Sequence, residues 1–283
     1  MHPGEGPRRI AKVPSASDII WLLSLAVLVF MTAVMRCAWG YGLARRNGGW
    51  TDVFWTFGTG VALASAALFP LSSGAGPQPR QWLVAGLVAL WALRLGSYVA
   101  ARVAGHREDA RYARFRQDWG QAYGRNMLFV SLPQAPAAAV LALSVVVAAR
   151  TPGPGLTLRD LLGTAILIVA IGGESLADAQ MKRFKARPEN GGKVADAGLW
   201  GWSRHPNYFF EWLGWLAYPV IGLNPGRPVT WLSFAAPAVM FVLLTRISGI
   251  PPLEEAQLRS KGEAYRAYQR RVSAFFPLPP KRS

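Results

Sequence analysis

With 283 residues, 52% of them hydrophobic and only 16% charged, the chain could bury a sizeable core, but its charges fall between long apolar stretches rather than interrupting them, which argues against a soluble domain. The formal net charge of +16 raises nucleic-acid binding, yet the Lys and Arg residues flank hydrophobic segments instead of forming an accessible basic face, so that class is set aside. Cys37 is the only cysteine, which excludes an intramolecular disulfide and a cysteine-built metal site; lying in an apolar run, it is expected to be a packed thiol.

The chain opens on a basic, Pro- and Gly-containing stretch, Met1 to Val13, and residues 1–17 read as a short N-terminal tail. The first apolar run, Ile19 to about Cys37, is too long for the core of a signal peptide and precedes no convincing small-residue cleavage site, so it is expected to be a retained span. A bilayer-crossing helix needs about 20 mainly apolar residues. Segments of that kind lie near 18–39, 52–70, 81–104, 129–149, 159–180, 206–223 and 229–248. Turn-rich breaks separate them, at Asn47-Gly48-Gly49, Ser72 to Pro79, Thr151 to Gly155 and Asn224 to Pro228. Backbone polar groups in hydrocarbon must be satisfied within the segment, so helices are the expected structure. The expected fold is all-α: a polytopic membrane protein with seven transmembrane helices and cytoplasmic amphipathic helices, residues 18–283 forming one domain. Segment 81–104 carries Arg94 at its middle, and 206–223 is short and contains Pro219.

Seven spans put the termini on opposite sides. One set of loops (Arg45 and Arg46, Arg102 to Arg125, Lys182 to Arg204, and the tail from Arg259 to Arg282) carries 21 positive residues, against 7 in the other set. The positive-inside rule assigns the richer set to the cytoplasm, leaving the N-terminus outside.

Within the stretch 105–126, Phe115, Trp119 and Tyr123 recur at four-residue spacing, as on one face of an interfacial amphipathic helix. The tail from Leu253 to Arg271, introduced by Pro251-Pro252, reads as a second such helix.

Ionisable groups inside a membrane segment are costly and need a reason. Glu174 and Asp178 lie at i, i+4 near the cytoplasmic end of the fifth span, on one helix face that Lys182 continues and Lys185 lies close to. They suit either an ion-pair network with an Arg from a neighbouring helix or a ligand rich in donors. The run Gly198 to Trp212 is the most specific signal. Pro206 suits the first turn of a helix, with Arg204 and His205 just before it, where anions are favoured. Asn207 and Glu211 share one face at i, i+4, with Tyr208 beside them. Asp52, at the start of the second span, is open to a structural role, opposing the helix dipole or capping, or to a catalytic one. Arg94 and Tyr98 stand one turn apart, and Arg94 could pair with Asp52, Glu174 or Glu211, or bind phosphate. Arg36 and Arg246 lie at or near span ends, where their side chains are expected to snorkel.

The pattern Leu199-Trp200, Ser203-Arg204-His205-Pro206-Asn207-Tyr208-Phe209 and Glu211-Trp212, preceded by Glu174, Asp178, Phe184 and Arg187-Pro188-Glu189-Asn190, resembles a bacterial domain-of-unknown-function family within the steroid 5α-reductase superfamily. Asn47 through Trp55, Arg94 to Tyr112 and Tyr265 to Pro277 resemble it as well. The resemblance implies a seven-helix fold in the inner (cytoplasmic) membrane, holding NADPH in a cytoplasm-facing cavity and reducing a carbon–carbon double bond conjugated to a carbonyl in a lipid-like substrate. By this likeness Glu174, Asp178, Asn207 and Glu211 would contact the nicotinamide or adenosine end, and Tyr208 would lie with them in the cofactor-binding run. Arg94, Lys182, Arg204 and His205 would face phosphates, and Tyr265 would close the pocket. Asp52 falls where the reductases carry the acid that polarises the substrate carbonyl. Two positions depart from the pattern: Phe210 stands where relatives have Gly, and Trp91 stands at the place of the acid's partner tyrosine.

Two other functions remain open. Arg204-His205-Pro206-Asn207-Tyr208 with Glu254-Glu255, Tyr265 and Tyr268 is also similar to membrane methyltransferases of the isoprenylcysteine type, which hold S-adenosylmethionine. Glu174 and Asp178 on a preceding helix favour the reductase branch. A lipid-binding scaffold without chemistry would have an occluded or cofactor-free cavity, and Phe210 and Trp91 speak for it.

Overall fold

The computed structural model describes residues 15–70, 76–105, 108, 110–153 and 155–281. Most of the expected N-terminal tail, with Arg8, Arg9 and Lys12, lies outside the described residues, as does most of the break before Pro79. Helices dominate, and among the described residues β pairing is confined to one bridge between Ser203 and Ser273.

The long helices are α1 (Ala16–Ala44), α2 (Trp50–Leu68), α3 (Pro79–Gly105), α6 (Gln134–Arg150) and α7 (Leu158–Lys185). Two short helices, α4 (Ala110–Trp119) and α5 (Tyr123–Ser131), lead into α6. The C-terminal third holds α8 (Pro206–Trp215), α9 (Ala217–Gly222), α10 (Ala235–Val242), α11 (Ile250–Lys261) and α12 (Glu263–Arg271). Among the described residues five helical stretches are long and apolar enough to cross a bilayer: Ser17–Ala44, Pro79–Gly105, Tyr112–Arg150, Leu158–Lys185 and Pro228–Lys261. The chain is a polytopic membrane protein. Its lipid-like exterior fits: Trp21, Leu22, Leu25 and Val29 on α1 and Leu161, Ile168 and Val169 on α7 are exposed.

The expected sixth span is not one continuous helix. Pro219 has no N–H to offer the carbonyl of Trp215, and its ring crowds that carbonyl, so the helix parts at Leu216 into α8 and α9. The tail is likewise divided, since Gly262 at φ +53 separates α11 from α12. Cys37 corrects the expectation of a packed thiol: it is exposed, because α1 turns Met31, Met35 and Ala38 inward on its opposite face.

The core centres on α6, buried on every side from Leu141 to Ala149. At the end of the molecule holding Arg150 and Arg159, Arg80 grips Asp160 with two hydrogen bonds of 2.7 Å and donates to the carbonyls of Thr151 and Gly155. This clamp joins the starts of α3 and α7 to the end of α6. Beside it Gln81 donates to the carbonyls of Ala67 and Phe69, satisfying the end of α2.

At the opposite end, the aromatic row on α4 and α5 packs on protein. Phe115 and Trp119 stack at 4.4 Å, and Tyr112, Tyr123 and Met127 pack with Trp39 and Leu43 of α1. Glu108 fastens this segment. It accepts from Arg116, from Tyr123 at 3.3 Å and from the backbone N–H of Gly48 at 2.8 Å.

Candidate functional site

Glu211 on α8 is a buried carboxylate, 8% exposed. The Trp91 indole N–H lies 3.0 and 3.1 Å from its two oxygens, and the Trp215 indole donates to it at 3.0 Å. Trp91 and Trp215 meet edge to face at 5.0 Å, and Trp55 lies against Trp91 at 6.2 Å. A carboxylate taken out of water needs such donors, and indoles supply them while adding apolar packing. Trp91, a departure from the reductase pattern, here holds the Glu211 side chain in place.

One face of α7 supplies the next layer. Glu174 and Asp178 are both buried and both pair with Arg94 of α3, at 2.5 and 2.6 Å. Arg94 therefore takes the ion-pair role open to it and leaves Asp52 to another partner. Asp52 receives the Tyr112 hydroxyl at 3.0 Å, and Tyr112 is itself buried between α4 and the turn at Gly48. Asp52 stands in the first turn of α2, where its charge opposes the helix dipole; the N-cap itself is Gly49, which makes no side-chain capping bond.

Phe210 does not fill the site. Its ring lies against Gly173 of α7, at a place where any β-carbon on residue 173 would collide with it. The phenylalanine occupies a notch between helices, so α7 and α8 approach closely and bring Glu174 and Glu211 together.

The loop before α8 is locked from behind. Glu254 on α11 accepts from the Arg204 Nε at 2.6 Å, from Gln269 at 2.9 Å and from the Tyr265 hydroxyl at 3.4 Å, and it meets His205 Nε2 at 3.2 Å. Arg204 also donates to the carbonyls of Gln269 and Val272 at the end of α12. The His205 ring stacks on Tyr208 at 5.7 Å. The Tyr268 hydroxyl donates to the Trp200 carbonyl, and Ser203 donates to that of Phe275, so the tail is strapped over the Gly198–His205 segment. Burial, with the Glu254 carboxylate beside it, pushes the Tyr265 phenol above its ordinary pKa, and burial does the same for Tyr268. Both stay protonated donors.

These layers enclose one cavity of about 730 Å³. Of the residues expected from the sequence, it is lined by Asp52, Glu174, Asp178, Arg204, His205, Asn207, Tyr208, Glu211 and Tyr265. Arg94 stands behind its two carboxylates rather than on the wall, and Lys182 is exposed and outside the cavity. The reason is helical phase. At 3.6 residues per turn, Lys182 lies roughly 80° around the helix from Glu174, whereas Lys185 lies roughly 20° away. Lys185 lines the cavity, as do Arg102, Arg187, Lys193 and Lys261. Trp55, Leu95, Val99, Met240 and Leu244 make an apolar wall, Leu244 being carried by a π-helical turn at Leu243–Ile247. Exposure rises from the buried carboxylates on the floor to exposed Lys185, Arg187 and Lys193 at the rim. Lys185 was legible in the period of α7; Tyr112 and Lys261 gave no local signal, Trp91 was marked only as a departure from the reductase pattern, and Glu254 stood out only in the methyltransferase-like pattern.

Residues 38–272 match the family described as "Protein of unknown function (DUF1295)". A stretch of 81 residues is 36% identical to the uncharacterized protein C594.04c of Schizosaccharomyces pombe, covering 28% of this chain and 22% of that protein. The chain thus aligns with about a fifth of the relative's length. No solved structure matches.

Proposed function

The chain belongs to the DUF1295 family, and on that premise we propose that it is an NADPH-dependent membrane reductase of the steroid 5α-reductase superfamily. Its substrate on this reading is a steroid-, isoprenoid- or fatty-chain-like molecule with a carbon–carbon double bond conjugated to a carbonyl. The observation that carries the reading is the convergence of Glu174, Asp178, Asn207 and Glu211, from two neighbouring helices, on one cavity with a cationic rim. About 730 Å³ lies within the range of small-molecule and cofactor sites, roughly 300–1,000 Å³.

The residues present fit a dinucleotide. Asn207 lines the cavity and its carboxamide forms no hydrogen bond among the described residues, leaving it to a ligand. Carboxylates on the floor suit amide and ribose hydroxyl donors, and the rim cations suit phosphates. Bound NADPH supplies a hydride; the protein's part is to orient the reactants, exclude water and provide a proton. Trp91 and Trp215 fix Glu211, Arg94 fixes Glu174 and Asp178, and the apolar wall accepts the hydrocarbon body of the substrate. Asp52, oriented by the Tyr112 hydroxyl, lines the cavity and is the residue we assign to the substrate carbonyl, where charge develops.

The orientation we propose is seven crossings in the inner (cytoplasmic) membrane, α2 and the broken α8–α9 pair adding to the five long stretches. The N-terminus lies outside and the cavity faces the cytoplasm. The excess of positive residues in the loops at the cavity end supports it.

Purified protein in lipid nanodiscs tests the reading. NADPH should raise the melting temperature and be oxidised when an enone lipid is added, and Glu211→Gln and Asp178→Asn should weaken cofactor binding. A shift with S-adenosylmethionine and none with NADPH would replace the reductase by a methyltransferase. Against that alternative, Glu254 is engaged by Arg204 and Gln269, and Glu255 points outward to Arg259.

A further inference from the structure

We infer that Lys185 and Lys261 form a phosphate-binding subsite at the rim of the cavity, selective for a phosphate monoester carried by a nucleotide or by a lipid. Lys185 is the last residue of α7 and Lys261 the last of α11. A lysine at a helix C-terminus is ordinarily explained by the helix dipole. That accounts for each lysine alone and not for both lining one cavity. The two come from separate helices, both line the same cavity, and Lys185 is close enough for its charge to bear on Lys261.

The two arginines deeper in the site have their carboxylates. Arg94 holds Glu174 and Asp178, and Arg204 holds Glu254. Among the described residues neither Lys185 nor Lys261 forms an ion pair, and the one charge bearing on Lys261 is that of Lys185. Lys261 is also half-buried, so its ammonium has given up part of its hydration beside a like charge. A partly dehydrated ammonium with the like charge of exposed Lys185 bearing on it is unfavourable until an anion lies beside it. A phosphate monoester, with a charge of about −1.5 to −2 near neutral pH, matches two lysines better than a single carboxylate does. The neighbouring loop adds to the site: Arg187 and Lys193 line the same rim, and Gly192, at φ +75, brings backbone there without a side chain.

The subsite deepens the proposed function by naming where a phosphate binds, and it rests on the cavity being the ligand site. Its test needs no turnover. The full chain in phosphatidylcholine nanodiscs is titrated calorimetrically with 2′,5′-ADP and with 5′-AMP, and separately with a short-chain phosphatidic acid. The variants are Lys185→Gln, Lys261→Gln and the double; Arg259→Gln, on the outer face of α11, is the control. Melting temperatures show that each variant is folded.

We expect 2′,5′-ADP to bind the double variant at least tenfold more weakly than the wild type, with a shallower salt dependence, and the control to be unchanged. Lysine-dependent binding of phosphatidic acid without lysine-dependent binding of 2′,5′-ADP would keep the subsite and assign it to a lipid phosphate. Affinities within twofold of wild type for every phosphate ligand in the double variant, or no binding to the wild type, would overturn the subsite. Lysine-dependent 2′,5′-ADP binding without NADPH oxidation would leave the subsite standing and remove the reductase reading, so the two failures are distinguishable.

Discussion

The Trp91 indole N–H bridges the two carboxylate oxygens of Glu211 at 3.0 and 3.1 Å, linking the middle of α3 to α8 across the floor of the cavity. This places an acid from the most specific run of the sequence under the control of a residue 120 positions away.

Trp91→Phe keeps the aromatic packing and removes the donor. A hydrogen bond to a buried charged group contributes roughly 1.5–3 kcal/mol, so thermal unfolding in detergent should show a loss of that order. NADPH affinity should fall with it. A variant as stable and as tight-binding as the wild type would mean that the indole bond does not position Glu211.

The clamp between Arg80 and Asp160 lies at the end away from the cavity. Removing one member of a buried pair costs roughly 3–5 kcal/mol, whereas replacing both by apolar residues is often neutral. Asp160→Leu alone should therefore lower the melting temperature strongly, and Arg80→Met with Asp160→Leu should recover much of the loss. Ligand affinity at the cavity should be the same in the double variant as in the wild type, measured by calorimetry.

Gly173→Ala would drive a methyl group into the Phe210 ring. Overpacking of this kind costs typically 1–3 kcal/mol. The same change in a Phe210→Leu background should cost less, because the smaller side chain leaves room. A double-variant cycle on unfolding midpoints measures the difference, and additive effects would contradict the proposed contact.

Glu254→Gln removes the charge that gathers Arg204, Gln269 and Tyr265. The strap over Gly198–His205 should loosen. Limited proteolysis should then cleave near Gly262 at least several-fold faster than in the wild type, while cleavage elsewhere keeps its rate.

The pH dependence of stability should carry a signature of Glu108. Burial pushes its carboxyl up, but the Arg116 guanidinium, the Gly48 N–H and the Tyr123 hydroxyl outweigh that and hold it below its ordinary value. A folded pKa below the unfolded one contributes stability above the unfolded value, near pH 4.3, and that contribution is lost as pH falls through the folded pKa. Melting temperatures taken from about pH 6 down to about pH 3 should fall more steeply for the wild type than for Glu108→Gln. Parallel curves would show that Glu108 is not held in this way.

Much of the site was legible along single helices. Glu174 with Asp178 and Asn207 with Glu211 were found by spacing alone, since i, i+4 residues share a face whatever lies opposite. The same logic misplaced Lys182, because a face drifts over two turns and Lys185 returns closer to its line. Nothing in the sequence joined Arg80 to Asp160, and Phe210 read as a departure that would obstruct the site. Each acquired its role from a partner far away in the chain.

Composition, apolar run length and charge placement were enough to determine a helical, many-times membrane-crossing chain, because a bilayer constrains each segment independently of the others. Only the packed structure decided which side chains meet. Tyr112 with Asp52, Trp91 with Glu211 and Arg204 with Glu254 are pairs set by how helices lie against one another, and no local pattern encodes the distance between two helices that are remote in sequence.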